Sequence, residues 1–117
     1  MPVMDWFAAD VPDLPLPPPS GKTLLRELRL NGKRICLVWH KDTWFALDAR
    51  CPHANGPLAY GSIDDKDRIV CPWHRFAFDL TTGNSDSGGY FIDTYAVKET
   101  AGGISIGFPR KKKGWFW

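Results

Sequence analysis

The chain has 117 residues, of which 44% are hydrophobic and 24% charged, and its formal net charge is +2. These values fit one globular domain with a modest core, and no apolar run approaches the roughly 20 residues of a membrane-spanning helix. The first residues show no basic stretch followed by an apolar one, so a secretory signal is not indicated and a cytoplasmic location is expected.

Short segments rich in β-branched and aromatic residues predict an all-β protein, and no segment has a persuasive helical period. Four prolines between Leu14 and Ser20 predict an extended surface connection, because proline has no N–H to donate. Asn31-Gly32 predicts a type I′ hairpin. The predicted strands are Val3–Ala8, Thr23–Leu30, Lys33–His40, Thr43–Asp48, Arg68–Cys71, Phe76–Leu80, Thr94–Lys98 and Gly103–Phe108.

Two short phrases combine thiols with imidazoles: Cys51-Pro52-His53 and Cys71-Pro72-Trp73-His74, with 17 residues between His53 and Cys71. Two thiolates and two imidazoles from two loops suit either zinc or an iron–sulfur cluster. We expect an antiparallel sandwich or barrel that gathers both loops at one end. The third cysteine, Cys36, lies in an apolar strand and is expected to be a buried thiol without a chemical role.

The pattern C-x-H-x17-C-x-x-H resembles the signature of Rieske [2Fe–2S] domains, in which two histidines replace two cysteines on one iron. The resemblance implies that Cys51 and Cys71 bind one iron of such a cluster. It also implies that His53 and His74 bind the other iron, near the surface where an electron leaves. Further matching residues are Ala54 to Leu58, Gly61 and Phe78 to Gly83, so that the resemblance covers about positions 3–108.

Three residues of the two loops, Pro57, Leu58 and Trp73, are candidates for shielding the cluster from water. Plain packing within the loops is the alternative interpretation for all three. Arg75 stands where many Rieske ferredoxins have glycine, and it either favours acidic partners or is an ordinary solvated arginine.

Departures from the respiratory-chain members of the family predict a low potential. Those proteins have an additional cysteine in each loop, and the two form a disulfide; Gly56 and Trp73 stand at these positions. Their Ser and Tyr hydroxyls, which bond to cluster sulfur, are replaced by Phe76 and Phe78. Because these donors are missing, we expect a reduction potential near the low end of the Rieske range, about −150 mV.

The resemblance implies a stand-alone Rieske-type ferredoxin, an electron-transfer protein rather than an enzyme, that passes single electrons between a reductase and an oxygenase or other acceptor. Two alternatives stay open: a structural zinc module with the same four ligands, and a tightly bound subunit like the nitrite reductase small subunit. His40 is the third and last histidine. The two-histidine, one-carboxylate site of Rieske oxygenases therefore cannot be assembled within this chain, and neither a small-molecule substrate nor nucleic acid is expected.

The C-terminus differs in composition from the rest of the chain. Residues 1–109 carry a charge of −2, whereas Arg110-Lys111-Lys112-Lys113 adds +4 just before Trp115-Phe116-Trp117. We therefore divide the chain into a domain at 1–109 and a basic aromatic tail at 110–117. The aromatic residues either fold back onto the domain or bind a partner; membrane contact through Arg110 to Trp117 is the least favoured interpretation.

Overall fold

The computed structural model describes residues 3–11, 14–52, 55–73, 75–85, 89–100 and 103–109. Within these ranges the chain forms antiparallel strands and one short 3-10 helix, which confirms the predicted all-β class. No helix among them is long and apolar enough to span a membrane. The strands are β1 Met4–Ala9, β2 Leu24–Leu30, β3 Lys33–His40, β4 Thr43–Asp48, β5 Ser62–Ile63, β6 Arg68–Val70, β7 Ala77–Asp79, β8 Thr94–Thr100 and β9 Gly103–Pro109, with the 3-10 helix at Leu58–Tyr60.

Two tight turns build the β2-β3-β4 meander. The predicted turn at Asn31 and Gly32 has φ values of 53° and 74°, and Lys41 and Asp42 have φ values of 50° and 57°. Type I′ turns need positive φ at both central residues, because this twist matches that of the flanking strands. The bounds of β3 and β4 consequently agree with the prediction at every residue.

The strands form a six-stranded sheet in the order β1-β9-β8-β4-β3-β2 and a three-stranded sheet in the order β5-β6-β7. β5 and the 3-10 helix were not predicted, because segments of two and three residues are too short to show a period. The proline-rich connection forms no strand, as expected. Ala101 and Gly102, which lie between the predicted strands Thr94–Lys98 and Gly103–Phe108, and the tail at 110–117 lie outside the described residues.

Alternate side chains of β3 face two different cores, since successive residues of a strand point to opposite faces. Ile35 and Leu37 pack inside the large sheet with β9 residues such as Ile106. Cys36 and Val38 pack on its other face. This second core also contains Leu47, Cys51, Leu58, Ile69, Cys71, Phe78, Leu80 and Ile92. Both cysteines of the motif therefore rest on the second core.

We expect Cys36 to resist alkylation in the folded protein. Burial, and secondarily the negative charge of Glu27, raises the pKa of its thiol to about 12. Because only the thiolate reacts, its reactive fraction is about a thousandfold smaller than that of an ordinary thiol. Peptide mapping after iodoacetamide treatment should find Cys36 modified only in urea, with Cys36→Ala as the blank. Modification in the native protein at the denatured rate would contradict the prediction.

A charged cluster joins the end of the β3–β4 hairpin to the turn between β5 and β6. His40 contacts Thr23 Oγ1 through Nδ1 at 2.8 Å and Asp67 Oδ1 through Nε2 at 3.0 Å. Lys41 Nζ lies 3.0 Å from the same carboxylate oxygen. Both ring nitrogens of His40 thus have partners, which agrees with the structural role expected of a histidine at the end of a strand.

We expect Asp67→Asn to lower stability at neutral pH. Hydrogen bonds from Lys41 and then from His40 hold the pKa of the Asp67 carboxyl below its usual value. A lowered pKa stabilises the folded state above the unfolded-state pKa, and this contribution is lost as the pH falls through the folded value. Thermal melts should therefore show a modest deficit for the variant near pH 7 that shrinks only below about pH 4. Asp65→Asn, in the same turn, is the matched control, and an equal deficit there would contradict the assignment.

Candidate metal centre

The two cysteine loops have the same backbone framework. In loop 1, residues 51–56, Asn55 N–H donates to the Cys51 carbonyl at 2.6 Å, and Cys51 N–H donates to the Gly56 carbonyl at 2.9 Å. In loop 2, residues 71–76, the same two bonds join Arg75 to Cys71 at 3.1 Å and Cys71 to Phe76 at 2.8 Å. Because of these bonds the chain leaves strand β6 at Val70, one residue earlier than predicted. Each cysteine therefore begins a turn of the same geometry.

The fifth residue of each loop has a left-handed backbone. Asn55 has a φ of 62° and Arg75 a φ of 60°. Asparagine adopts this conformation several times more often than most residues, whereas glycine adopts it without a steric penalty. The glycine that many Rieske ferredoxins have at the position of Arg75 suits this backbone for the same reason. The shared left-handed backbone of Asn55 and Arg75 was not predicted, although each residue stands four positions after a cysteine.

Loops 1 and 2 contact each other at Gly56. Cys51 and Cys71 are each 1% exposed, and neither takes part in a disulfide. A Cβ atom on Gly56 would lie 2.5 Å from Cys71 Sγ and 3.4 Å from Cδ2 of Trp73. The absence of a side chain at Gly56 is thus what allows loop 1 to pass so close to the Cys71 thiol. The Trp73 ring packs beside Gly56 as well, in van der Waals range of the position that a side chain would occupy.

The other two predicted ligands, His53 and His74, lie outside the described residues. In the part of the chain that is described, no group of three metal-ligating side chains occurs. What the fold brings together is therefore the pair of cysteines, at matching positions of two touching loops. The four-residue ligand set stays a prediction.

The three predicted shielding residues occupy different environments. Leu58 is fully buried and belongs to the second core, so it has a packing role. Pro57 is half-buried and forms an isolated bridge with Arg50, directly before Cys51. Trp73 is 57% exposed and can therefore cover only part of the site. Their shielding of a cluster stays a prediction.

The two phenylalanines of the second loop region present no hydrogen-bond donor. Phe78 is completely buried in the second core. The ring of Phe76 packs against that of Tyr90, with centroids 5.3 Å apart. Tyr90 follows residues 86–88, which lie outside the described part of the chain. The contact shows that the segment after β7 returns to loop 2.

This arrangement defines a class of protein: a small all-β domain built to hold a metal group between two matching cysteine loops. The sequence model of the Rieske [2Fe–2S] domain matches residues 9–89, well over half of the chain. The chain belongs to the Rieske [2Fe–2S] domain family, which binds a [2Fe–2S] cluster. The iron–sulfur interpretation is thereby confirmed at the level of the family.

One similar curated protein is a human Rieske domain-containing protein, 40% identical over 57 residues; the match covers 46% of this chain and 36% of that protein. The chain spans between 9% and 49% of the lengths of the first curated relatives that it matches.

Solved structures with the same fold have lower sequence identity. The ferredoxin of carbazole 1,9a-dioxygenase from Nocardioides aromaticivorans aligns with a TM-score of 0.69 and 22% identity, over 93% of this chain and 98% of that one. A chain from the complex of reduced oxygenase and oxidized ferredoxin in carbazole 1,9a-dioxygenase aligns with a TM-score of 0.64 and 23% sequence identity. The alignment covers 72% of this chain and 88% of that one. The third structure is a Mycobacterium tuberculosis protein proposed to be the small subunit of an NADH-dependent nitrite reductase. It aligns with a TM-score of 0.77 and 18% sequence identity, over 93% of this chain and 99% of that one.

The residues of the site fit the cluster of this family. Two buried, unbridged thiols stand on touching loops, and the backbone of Gly56 approaches Cys71 so closely that a side chain would displace the sulfur. Thiolate is the ligand type that iron–sulfur clusters require, and the remaining two positions of a Rieske site take imidazole.

Proposed function

We propose that this domain is a one-electron carrier of the Rieske ferredoxin type, working between a reductase and an oxygenase or another redox acceptor. The observation that carries the proposal is the pair of matching, touching loops, which hold Cys51 and Cys71 at 1% exposure on the same core. The cluster, when bound, supplies a group that takes up and releases one electron. We assign Cys51 and Cys71 to one iron, and His53 and His74 to the other.

The protein residues contribute order and exclusion of water. The paired hydrogen bonds of loops 1 and 2 restrain the backbone at both cysteines, so the two loops are ordered before the metal arrives. The second core beneath Cys51 and Cys71 keeps water from the thiolate side. We propose that Pro57, which is half-buried, and Trp73, which is 57% exposed, shield the cluster incompletely and leave a path for the electron.

Metal analysis tests the proposal directly. The purified protein should be reddish-brown and hold two irons and two acid-labile sulfides per chain, and dithionite should bleach its visible absorption. Conversion of Cys51 or Cys71 to serine should remove the colour, whereas Cys36→Ser should leave it. A colourless protein with stoichiometric zinc would establish the structural zinc module instead.

The same preparation tests the predicted potential. Because Phe76 and Phe78 carry no hydroxyl and Gly56 and Trp73 form no disulfide, we expect a midpoint of about −150 mV. A spectroscopic redox titration measures it. A midpoint well above 0 mV would contradict the link between these four residues and a low potential.

A second candidate is an electron-transfer subunit that stays bound to a larger enzyme. The alignment with the proposed nitrite reductase small subunit, a TM-score of 0.77 over 93% of this chain, favours it. The two candidates share the site and differ in how long the partner stays bound. Size-exclusion chromatography of the untagged protein from its native source separates them, since a carrier elutes alone and a subunit elutes with its enzyme.

A further inference from the structure

A small cleft opens beside Cys71, at the side of loop 2. It has a volume of about 220 Å³ and lies between Tyr60 and Arg75, with Ser62 and Pro72 in its walls. Ligand pockets of drug-sized molecules are larger, about 300 to 1,000 Å³, and enclose most of the ligand. The size of this open cleft suits a single side chain better than a cofactor or a metabolite.

Arg75 is the charged side chain that lines the cleft. Its side chain is exposed and makes no hydrogen bond or ion pair with any described residue. Other cations nearby are already paired: Arg68 Nε lies 2.8 Å from Asp64, and Arg50 lies 3.6 Å from Glu27. Among the described residues, therefore, no carboxylate neutralises the positive charge of Arg75 in the cleft.

The backbone holds Arg75 at the mouth of the cleft. Its N–H donates to the Cys71 carbonyl at 3.1 Å, and its φ of 60° is the left-handed conformation that closes loop 2. Guanidinium binds carboxylate in a planar, two-bonded geometry, which makes arginine specific for this anion. Because Cys71 also lines the cleft, any group bound here lies next to the proposed cluster ligand.

Two exposed aromatic residues accompany this charge: Tyr60 lines the cleft, and Trp73 stands two positions before Arg75 in loop 2. Tyr60 is 82% exposed and Trp73 57% exposed, and the proline between Cys71 and Trp73 is exposed as well. Tyrosine, tryptophan and arginine are the residues enriched where proteins bind each other. A small free anion would make no use of the rings, whereas a protein surface would cover them.

We propose that this cleft receives a carboxylate side chain of the redox partner, and that Arg75 binds it while Tyr60 and Trp73 contact the surrounding partner surface. The proposal rests on the proposed function, because it names the chemistry of the partner at the same site. It predicts that the partner presents an Asp or Glu at the centre of an otherwise uncharged patch. Charge pairing of this kind acts mainly on the rate and register of docking.

Anion binding is tested first, without electron transfer. The holoprotein is labelled with 3-fluorotyrosine, and the fluorine signal of Tyr60 is assigned with Tyr60→Phe. Titration with hexacyanocobaltate(III), a redox-inert trianion, should shift this signal in the wild type. In Arg75→Glu the apparent Kd should rise about tenfold or more. Arg29→Glu, an exposed arginine on β2 with the same change of charge, should bind like the wild type, and equal weakening in both variants would overturn the proposal.

Partner docking is tested with a purified flavin-dependent ferredoxin reductase that reduces the wild-type holoprotein. Arg75→Glu should raise the KM for this domain about tenfold at low salt and change kcat much less. The midpoint potential of each variant is measured as well, because a reversed charge beside loop 2 shifts it. The difference should narrow as salt is added. Arg75→Lys should recover most of the affinity, and Arg75→Gly, which relieves the left-handed backbone, separates loss of charge from loss of loop structure.

The outcomes separate this inference from the proposed function. Normal KM in Arg75→Glu, with hexacyanocobaltate binding lost, would mean that the cleft takes free anions and would overturn the assignment to a partner. A holoprotein that dithionite reduces but that no ferredoxin reductase reduces would count against the proposed function itself. Reduction of wild type and Arg75→Glu with the same KM and the same anion affinity would overturn the inference alone.

Discussion

Gly56→Ala is expected to cost the protein its cluster while the polypeptide stays folded. The added Cβ would lie 2.5 Å from Cys71 Sγ, closer than non-bonded atoms approach. In the metal-free chain the sulfur can rotate away, but a sulfur bound to iron cannot. Because a metal site tolerates displacements of about 0.5 Å, we expect cluster retention to fall about 10- to 100-fold.

Iron, labile sulfide and visible absorption of Gly56→Ala, with circular dichroism for the fold, give the measurement. Gly107→Ala is the matched control, because its Cβ meets the Trp6 ring at 3.0 Å between the paired strands β1 and β9. Trp6 is 39% exposed and can move, so this variant should keep its cluster. Full iron content and an unchanged spectrum in Gly56→Ala would contradict the close approach of loops 1 and 2.

Gly83→Ala is expected to destabilise the whole domain by about 3 kcal/mol or more. Gly83 has a φ of 78°, its N–H donates to the Asp79 carbonyl at 2.8 Å, and its carbonyl accepts the Ile92 N–H at 2.8 Å. A Cβ there would overlap the carbonyl oxygen of Ile92. Since that oxygen belongs to backbone beside the buried Ile92 side chain, it cannot move without disrupting the second core.

Urea unfolding of Gly83→Ala beside Gly89→Ala separates the two causes of this loss. Gly89 has a similar φ of 72°, but a Cβ there would meet nothing within 4 Å. Gly89→Ala should therefore lower the free energy of unfolding only by the strain of an alanine in the left-handed conformation, about 1 kcal/mol. Equal losses in the two variants would show that the turn of Gly83 is not locked against Ile92.

Local chemistry explains which parts of the fold were predictable. The Asn31-Gly32 turn and the alternating strands around it are set by residues close together in sequence, and β2, β3 and β4 were placed within one residue. The 3-10 helix and β5 were missed because segments of three and two residues are too short to show a period. Cys71 was placed in a strand because nothing local reveals that its N–H bonds to Phe76.

The candidate site divides in the same manner. Cys51, His53, Cys71 and His74 were selected from spacing and residue type alone, and the family match confirms the kind of domain that they imply. From the sequence, Gly56 was noted only because it stands where respiratory-chain Rieske proteins have an additional cysteine. Its real constraint is a contact with Cys71, fifteen residues away, that exists only in the folded chain.

The sequence alone determined the all-β class, the pair of cysteine–histidine phrases and the resemblance to Rieske domains, because turn chemistry and ligand spacing are local properties. Only the tertiary structure decided how closely the two loops pack, that Asn55 and Arg75 share one backbone conformation, and that Arg75 borders a cleft with Tyr60. These features depend on which distant segments meet over the second core. Residue types and their spacing along the chain do not reveal such a contact.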